Sequence, residues 1–265
     1  LKAFFERISP ALPGIELINP HTVWLMVVLI SWIGFTGYIA TKLLGSRKGI
    51  GLTGLLGGLA SSTATTLEFS KRSRDSAAHS VPFALAILLA CSTMFPRVLL
   101  EVLVVNPAFI GSVAVTMGCM AAGGAAVCFY IWKKSSGEKT DEVPLKNPFY
   151  ILPAVKFGLL YAAIVLLTRM VEALAGQGGI YIVSALAGLS DVDPITLTMS
   201  QISRDDPSKS GQAAVAITLA VFSNTIMKGI LAATIGSARL RKTTLAGFAV
   251  ILLSGAAGLA VLYFL

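Results

Sequence analysis

Long apolar runs follow one another along nearly the whole chain, and they restrict its fold more than any other feature. Only 13% of the 265 residues are charged, about half the share that a soluble domain carries. The pattern predicts an all-α, polytopic integral membrane protein with about eight transmembrane segments. The runs long enough to cross a bilayer lie at about 22–44, 49–70, 80–105, 108–132, 149–175, 179–203, 211–235 and 243–265.

The basic residues form short clusters between the apolar runs. The chain has 21 lysines and arginines against 13 acidic residues, which gives a net charge of +8. Clusters such as Lys71, Arg72 and Arg74, or Lys133 and Lys134, are typical of loops that face anionic lipid headgroups. We therefore expect membrane lipid as a partner and no nucleic acid.

The sequence carries no recognisable motif for catalysis or for cofactor binding. It has no GxSxG, no HExxH and no phosphate-binding loop, and its two histidines, His21 and His79, lie far apart in the chain. Its three cysteines lie inside apolar runs without the spacing of metal ligands. We predict a protein that is not an enzyme and that needs no cofactor.

The chain divides into two halves of similar length. A polar linker at 133–147, KKSSGEKTDEVPLKN, separates a first membrane repeat at 19–132 from a second at 148–265. An Asn-Pro pair marks the start of each repeat, at Asn19-Pro20 and at Asn147-Pro148. Within residues 1–18, a few apolar side chains group on one face beside charged ones, as in a helix that lies on the membrane surface. Because the chain starts at Leu1, we also expect further protein upstream.

One sequence motif occurs twice, as GGLASSTATTLEFSKRSRD at 57–75 and as AGLSDVDPITLTMSQISRD at 187–205. We call each copy a phrase. A basic residue also recurs at matching places in the third segment of each half, Arg97 and Lys228. These matches predict two homologous halves, as in transporters whose substrate site lies between repeats. Aligned without a gap, the phrases share Gly58/Gly188, Leu59/Leu189, Thr66/Thr196, Leu67/Leu197, Ser70/Ser200, Ser73/Ser203, Arg74/Arg204 and Asp75/Asp205.

Each phrase predicts a discontinuous helix. Asp193 stands directly before Pro194, and this order is typical of a helix start. The second copy therefore predicts two half-helices with a break at 190–193, and Thr63 takes the cap position in the first copy. Unpaired backbone at mid-membrane is tolerated only inside protein or beside a watery cavity. We expect an ion site there, with one wall from each half.

The residues expected around this site carry hydroxyl or carboxylate oxygens, which suit a hard cation, and Asp191 and Asp193 are the candidate metal ligands. The oxygen-bearing set is Ser61, Ser62, Thr63, Thr66, Asp191, Asp193 and Thr196. A second set supplies gating contacts or charge pairs, in which Arg97 and Lys228 would neutralise the two aspartates or line the path themselves: Glu68, Arg97, Lys228, Arg74, Asp75, Arg204 and Asp205. Simpler interpretations compete: hydroxyls bond their own helices, aspartates act as caps, and long basic side chains reach the headgroups.

The segments NPHTVWLMVVLISWIGFTGYIATKLLG, GLLGGLASSTATTLEFSKRSRD and GLSDVDPITLTMSQ are similar to a C-terminal membrane domain of unknown function, the DUF 4010 family. This domain is often attached to MgtC/SapB-type membrane domains, and the resemblance covers nearly the whole chain from about Pro13. It implies a multi-pass protein of the bacterial or archaeal cytoplasmic (inner) membrane, with an MgtC-like domain upstream in the same chain. Association with magnesium-linked proteins points by analogy to a cation.

Three functions are open on the sequence alone. The first is a transporter or channel for a small cation of the proton, Na⁺ or Mg²⁺ type. The second is an anion transporter that uses half-helix N-termini together with Arg97 and Lys228. The third is a regulatory membrane protein that transports nothing. Parallel or inverted repeats, and a homo-oligomer, are all compatible with the sequence.

Overall fold

The computed structural model of the chain describes residues 20–44, 50–134 and 151–264. Every regular element in these ranges is helical, with short 3-10 turns at Ala77–His79, Pro107–Phe109 and Pro207–Lys209. The predicted surface segment at 1–18 and most of the predicted linker at 133–147 lie outside the described residues. The α-helices are α1 (Pro20–Leu44), α2 (Ile50–Asp75), α3 (Ser80–Ser92), α4 (Met94–Val105), α5 (Ile110–Lys134), α6 (Ile151–Ser190), α7 (Asp193–Asp205), α8 (Ser210–Ile235) and α9 (Ala238–Phe264).

Four stretches of the described chain are long and apolar enough to cross a membrane, and they match the last two predicted runs of each half. Their outer faces keep large apolar side chains exposed, such as Trp132 and Leu253, as expected when lipid is the solvent. The predicted class, an all-α membrane protein, is therefore confirmed. The four stretches are Ala77–Val105, Pro107–Lys134, Pro207–Ile235 and Ala238–Val261.

The predicted boundary between the runs at 149–175 and 179–203 is wrong. The helix α6 is continuous through the glycine-rich residues 176–179; its 40 residues make it about 60 Å long. The chain leaves the helical path only at 191–192, before α7. Pro194 explains this position, because its ring would clash with the carbonyl group of Ser190 in a continuous helix.

The helices α3 and α4 form one apolar unit that is interrupted at Thr93. The amide of Thr93 still donates to the carbonyl oxygen of Leu89, at 3.2 Å. Pro96 follows one turn later and has no N–H to donate to the carbonyl oxygen of Ser92. The loss of that bond accounts for the interruption at this point.

This α3–α4 unit and the helix α8 run through the protein in opposite directions. At the start of α3, the hydroxyl oxygens of Ser80 and Ser237 lie 2.7 Å apart, and Ser237 follows the end of α8. At the other end, Arg204, just before α8, donates to the carbonyl oxygen of Val105, the last residue of α4, at 3.4 Å. Since α2 leads into α3 and α7 leads into α8, the C-terminal ends of α2 and α7 lie at opposite ends of the molecule.

The two copies of the repeated phrase pack in the same way on the helix that follows them. A Cβ on Gly58 in α2 would lie 2.4 Å from the Cα of Ala90 in α3. A Cβ on Gly188 in α6 would lie 2.3 Å from the carbonyl oxygen of Ala220 in α8. Both contacts are so close that only glycine fits, which is how small residues let membrane helices approach each other.

Candidate functional site

The chain leaves the helical path at the same place in both phrases. In α2, Ser61 has extended backbone angles (φ −166°, ψ 105°), and its hydroxyl oxygen accepts a hydrogen bond from the amide of Ala64 at 3.2 Å. Between α6 and α7, Asp191 Oδ1 accepts a hydrogen bond from the amide of Asp193 at 3.2 Å. Ser61 and Asp191 therefore each satisfy an amide that the start of the following half-helix leaves unpaired.

The predicted cap residues, Thr63 and Asp193, are wrong by two positions in both phrases. Asp193 is already the first residue of α7, and no side chain caps that helix from the position before it. The carboxylate of Asp193 is thus free for another partner, although this residue is only 2% exposed. A buried carboxylate requires such a partner, because an isolated charge in a low-dielectric interior is costly.

The partner of Asp193 is Arg97, which comes from α4 in the other half of the chain. Arg97 Nη2 lies 2.5 Å from Asp193 Oδ1 and 4.0 Å from Asp191 Oδ1. The guanidinium stays protonated under all ordinary conditions and so provides a permanent counter-charge for the two carboxylates. Asp191 lies at the solvent-exposed edge of this cluster, since 39% of its side chain is exposed.

Glu101 completes the cluster, and the sequence analysis missed it. It lies one turn after Arg97 on α4, is fully buried, and has one oxygen 3.6 Å from Arg97 Nε. Neither of its carboxylate oxygens has a hydrogen-bond partner. Two signals in the sequence could have revealed it: an acidic residue within an apolar run, and its spacing of four positions from a basic residue.

Lys228, predicted either to neutralise the aspartates or to line the path, makes no direct ion pair with them. It is fully buried in α8, and the hydrogen-bond partner that the structure gives its Nζ is Met94 Sδ, at 3.6 Å. In the described residues, no carboxylate oxygen lies within ion-pair distance of Lys228. Its neighbour Asn224, one turn earlier, donates to the carbonyl oxygen of Gly188 at 2.8 Å and ties α8 to the end of α6.

The predicted hydroxyls mostly bond their own helices. Thr66 Oγ1 donates to the carbonyl oxygen of Ser62 at 2.8 Å, and Thr196 Oγ1 donates to that of Val192 at 3.0 Å. Thr63 is half-buried. Among the described residues, no hydrogen bond or ion pair joins the 61–66 stretch to 191–196. The charged cluster thus lies at the second interruption, and not between the 61–66 and 191–196 stretches as predicted.

The predicted gating residues at the phrase ends make contacts with backbone groups. Arg74 donates to the carbonyl oxygen of Thr234 at the end of α8, at 2.8 Å, and Arg204 makes the matching contact with Val105 at the end of α4. Asp75 and Asp205 are exposed. We call the contacts of Arg74 and Arg204 the end contacts; each joins a phrase in one half to the third segment of the other.

Two residues that the phrases share, Ser73 and Ser203, reinforce the end contacts in the same reciprocal manner. The hydroxyl of Ser73 accepts a hydrogen bond from the amide of Ser237 at 2.9 Å, and that of Ser203 accepts one from Asn106 Nδ2 at 3.3 Å. Glu68, by contrast, pairs with Arg72 at 2.7 Å on the exposed side of α2. It therefore lies outside the charged cluster.

The residues present can bind a cation only if the guanidinium of Arg97 moves away from Asp193. In the parts of the chain that the structure describes, no group of three His, Cys, Asp or Glu side chains is arranged to hold a metal ion. Asp191 and Asp193, the predicted ligands, are adjacent, but Arg97 already occupies the space against Asp193. A cation that bound both carboxylates would take the place of that guanidinium, so we treat any such ion as cargo.

The fold and this cluster define a class of protein: an all-α membrane protein with ionised side chains buried at a helix interruption. More narrowly, the chain belongs to the family described as "Domain of unknown function (DUF4010)", whose model matches residues 28–236. An uncharacterized protein of Aquifex aeolicus (strain VF5) is 33% identical over 201 residues, which cover 73% of this chain and 86% of that protein. No solved structure matches the chain.

Proposed function

We propose that this protein transports a small cation across a membrane and binds it at the carboxylates of Asp191 and Asp193. One observation carries the proposal: a carboxylate that is 2% exposed lies at a helix interruption and is paired with a guanidinium from the other half of the chain. Charges at such positions are costly and are typical of ion pathways. Broken helices between repeats are also where many secondary transporters hold their ions.

The donor set favours a cation over an anion. Three carboxylates, those of Asp191, Asp193 and Glu101, surround the single guanidinium of Arg97. Carboxylate oxygens are the ligands that hard cations prefer. In this mechanism Arg97 occupies the site when no cation is bound, and the arriving ion displaces it. The exposed side of Asp191 supplies the entrance.

The relation between the two halves supports alternating access. We infer an internal duplication in which the halves are inverted, because α3–α4 and α8 run in opposite directions and the glycine and end contacts recur in matching places. Inverted repeats are common in transporters that open to one side at a time. The repeated phrases then act as two discontinuous helices.

The apolar composition and the four apolar stretches support a location in a membrane. We propose the cytoplasmic membrane of a bacterium or archaeon, with an MgtC-like domain preceding this one in the same chain. Fractionation of cells that express the full gene would check the location: recovery in the inner-membrane fraction supports it, and recovery in the soluble fraction contradicts it. The sequence of the full gene would check the upstream domain.

Ion flux into liposomes that contain the purified protein tests the function. The ions are radioactive Na⁺ and Rb⁺, Mg²⁺ with a fluorescent indicator, and protons with a pH-sensitive dye. Asp191→Asn and Asp193→Asn are compared with Glu68→Gln, which changes an exposed carboxylate outside the cluster. We expect cation flux in the wild type and in Glu68→Gln. We expect it to fall at least about tenfold in the Asn variants, as for a loss of about 1.4 kcal/mol or more.

Three other results would each reject cation transport. Equal flux in the Asn variants, with folding verified by size exclusion, would remove the aspartates from the mechanism. Chloride flux without cation flux, abolished by Lys228→Ala, would establish an anion transporter; the buried Lys228 without a carboxylate partner is the observation that favours it. The absence of any flux through folded wild-type protein would leave the regulatory function.

A further inference from the structure

The first part of α2, before Ser61, runs in the same direction as α3. A Cβ on Gly54 would lie 2.5 Å from the Cα of Ala86, and a Cβ on Gly58 would overlap the Cα of Ala90. A step of four residues along α2 therefore matches a step of four residues along α3. The two segments lie parallel and in close contact.

The second part of α2 runs in the opposite direction. A short turn joins its end to the start of α3, and the rings of Phe69 and Phe83 lie 5.5 Å apart. The chain reverses at the extended backbone of Ser61, and a Cβ on Gly57 would lie 2.8 Å from Thr65 Oγ1. In a straight helix these two positions would be about 12 Å apart. The helix α2 therefore enters the protein and leaves it at the same end.

The end of α5 and the start of α9 lie at this end as well. The helices α5 and α9 are antiparallel: a Cβ on Gly123 would lie 2.9 Å from Ser254 Cβ, and one on Gly247 would lie 3.2 Å from Val127 Cγ1. The helix α9 begins beside the end of α2, since the amide of Ser237 donates to a hydroxyl there at 2.9 Å. The three helix ends therefore lie together.

These helix ends carry a surplus of positive charge. Their acidic side chains are Asp75 and Glu68, of which Glu68 pairs with Arg72. At the opposite end of the molecule, the described residues 106–110 and 204–210 carry two basic and two acidic side chains, which cancel. We call the first surface the basic end; its exposed cations are Lys71, Lys133, Lys134, Arg239, Arg241 and Lys242.

Exposed aromatic side chains border the basic end. Tyr130 and Trp132 lie in the last turn of α5, and 66% and 61% of these residues are exposed. Such rings are enriched at the level of the lipid headgroups. Lys133 and Lys134 follow directly, so the cations of α5 lie where headgroups are within reach.

We propose that the basic end faces the cytoplasm and binds the anionic headgroups of phospholipids in the cytoplasmic leaflet. This leaflet carries a negative surface potential, and membrane proteins keep their excess of lysine and arginine on its side. The cations are exposed and come from three helices, an arrangement that suits a lipid surface better than one small anion. The assignment does not depend on which ion the protein carries.

The reversal of α2 removes the main objection to this orientation. If α2 crossed the membrane, its two ends would lie on opposite sides. The basic residues that precede α2 in the sequence would then oppose those that end it, and charge would indicate no orientation. With both ends of α2 on one side, this conflict does not arise.

Labelling of cysteines in spheroplasts that express the full gene tests the orientation. Ser76 lies at the basic end, between α2 and α3, and Ser208 lies at the opposite end; both are exposed. In a background without the native cysteines, Ser76→Cys should react with a membrane-impermeant maleimide only after lysis. Ser208→Cys should react in intact spheroplasts. Reaction of Ser76→Cys in intact spheroplasts overturns the proposal.

Titration with phosphatidylglycerol, followed by native mass spectrometry, tests the lipid. We expect the wild type to bind it more tightly than phosphatidylcholine. Lys242→Gln should weaken binding about fivefold and Arg239→Gln/Lys242→Gln about 25-fold, since each basic residue near the surface contributes a factor of about five. Lys209→Gln, at the opposite end, is the matched control and should bind as the wild type.

The other outcomes each reject lipid binding at the basic end. Equal losses in Lys242→Gln and Lys209→Gln would show that the two ends do not differ. Displacement of phosphatidylglycerol by an equal concentration of inorganic phosphate would indicate a site for a soluble anion. If the double variant does not fold, the wild type decides, because its preference for phosphatidylglycerol should disappear at high salt. A preference that persists there overturns the proposal.

Discussion

At the scale of single residues, Gly188 is a position where one methyl group has a large effect. A Cβ there would lie 2.3 Å from the carbonyl oxygen and 2.5 Å from the Cα of Ala220, and neither backbone atom can move aside. We expect Gly188→Ala to destabilise the protein by about 1–3 kcal/mol, the usual range for overpacking. The midpoint of thermal unfolding in detergent measures it.

Gly211 provides the control for this substitution. Nothing lies within 4 Å of a Cβ built at Gly211, and alanine is the better helix former. Gly211→Ala should therefore leave the unfolding midpoint unchanged or raise it. If Gly188→Ala unfolds at the same temperature as Gly211→Ala, the close contact between α6 and α8 is not as described.

The charged residues show what the sequence could and could not predict at this scale. Asp193 and Arg97 stand out individually, because ionised groups inside apolar runs are rare. Their pairing could not be predicted, since they lie in different halves and meet only when α4 packs beside α7. Glu101 was missed because the comparison of the repeats does not single it out. When Lys228 is aligned with Arg97, the residue opposite Glu101 is Ala232.

At the scale of helices, Ser61 decides where the second part of α2 begins. Its hydroxyl is the acceptor for the amide of Ala64. We expect Ser61→Ala to lower the free energy of unfolding by about 1 kcal/mol, the usual effect of losing a cap. Ser61→Asn keeps a side-chain acceptor and should stay close to the wild type. Equal losses in the two variants, measured by chemical unfolding in detergent, would show that the hydroxyl does not act as a cap.

The sequence located both interruptions but misplaced their caps, and the reason is physical. Pro194 forbids a continuous helix and therefore fixes the break to within a turn. It does not identify the cap, since Asp191 and Asp193 are both good cap residues. In the structure, Asp193 pairs with Arg97 from the other half of the chain, and Asp191 accepts the amide hydrogen bond.

At the scale of the whole molecule, the opposed directions of the halves predict where each loop is exposed. Cysteines at Ala78 and Ser208, in a background without the native cysteines, should react with a membrane-impermeant reagent from opposite sides of the membrane. Both positions lie in exposed 3-10 turns. The outcome is measured by mass shift in right-side-out and inside-out vesicles. Labelling of both from one side would contradict the inverted arrangement.

Two further positions calibrate this experiment. Ala108 follows the end of α4 and should be labelled from the same side as Ser208, because the end of α4 lies beside Arg204. Ala238 follows the end of α8 and should share the side of Ala78, because Ser237 contacts Ser80.

The sequence could predict the class of membrane protein, since a lipid environment favours long apolar helices. It could not predict the directions of the two halves, because in the sequence alone the basic clusters bias neither side.

The end contacts predict additive effects. Arg74→Ala removes a hydrogen bond to Thr234, and Arg204→Ala removes one to Val105. Since the two contacts lie at opposite ends of the molecule and share no residue, the double variant should lose the sum of the two single losses to within about 0.5 kcal/mol. Unfolding midpoints of the three variants measure this. A clear departure from additivity would show that the ends communicate.

The independence of the end contacts has a consequence for leakage, if the protein carries ions as proposed. If the end contacts also close the route at its two ends, a continuous aqueous path would need both contacts to be broken at the same moment. Because the two events are separate, their probabilities multiply, so two rare openings make a simultaneous one far rarer still. A pair of ordinary hydrogen bonds, one near each surface, could then keep the membrane tight without any single strong barrier.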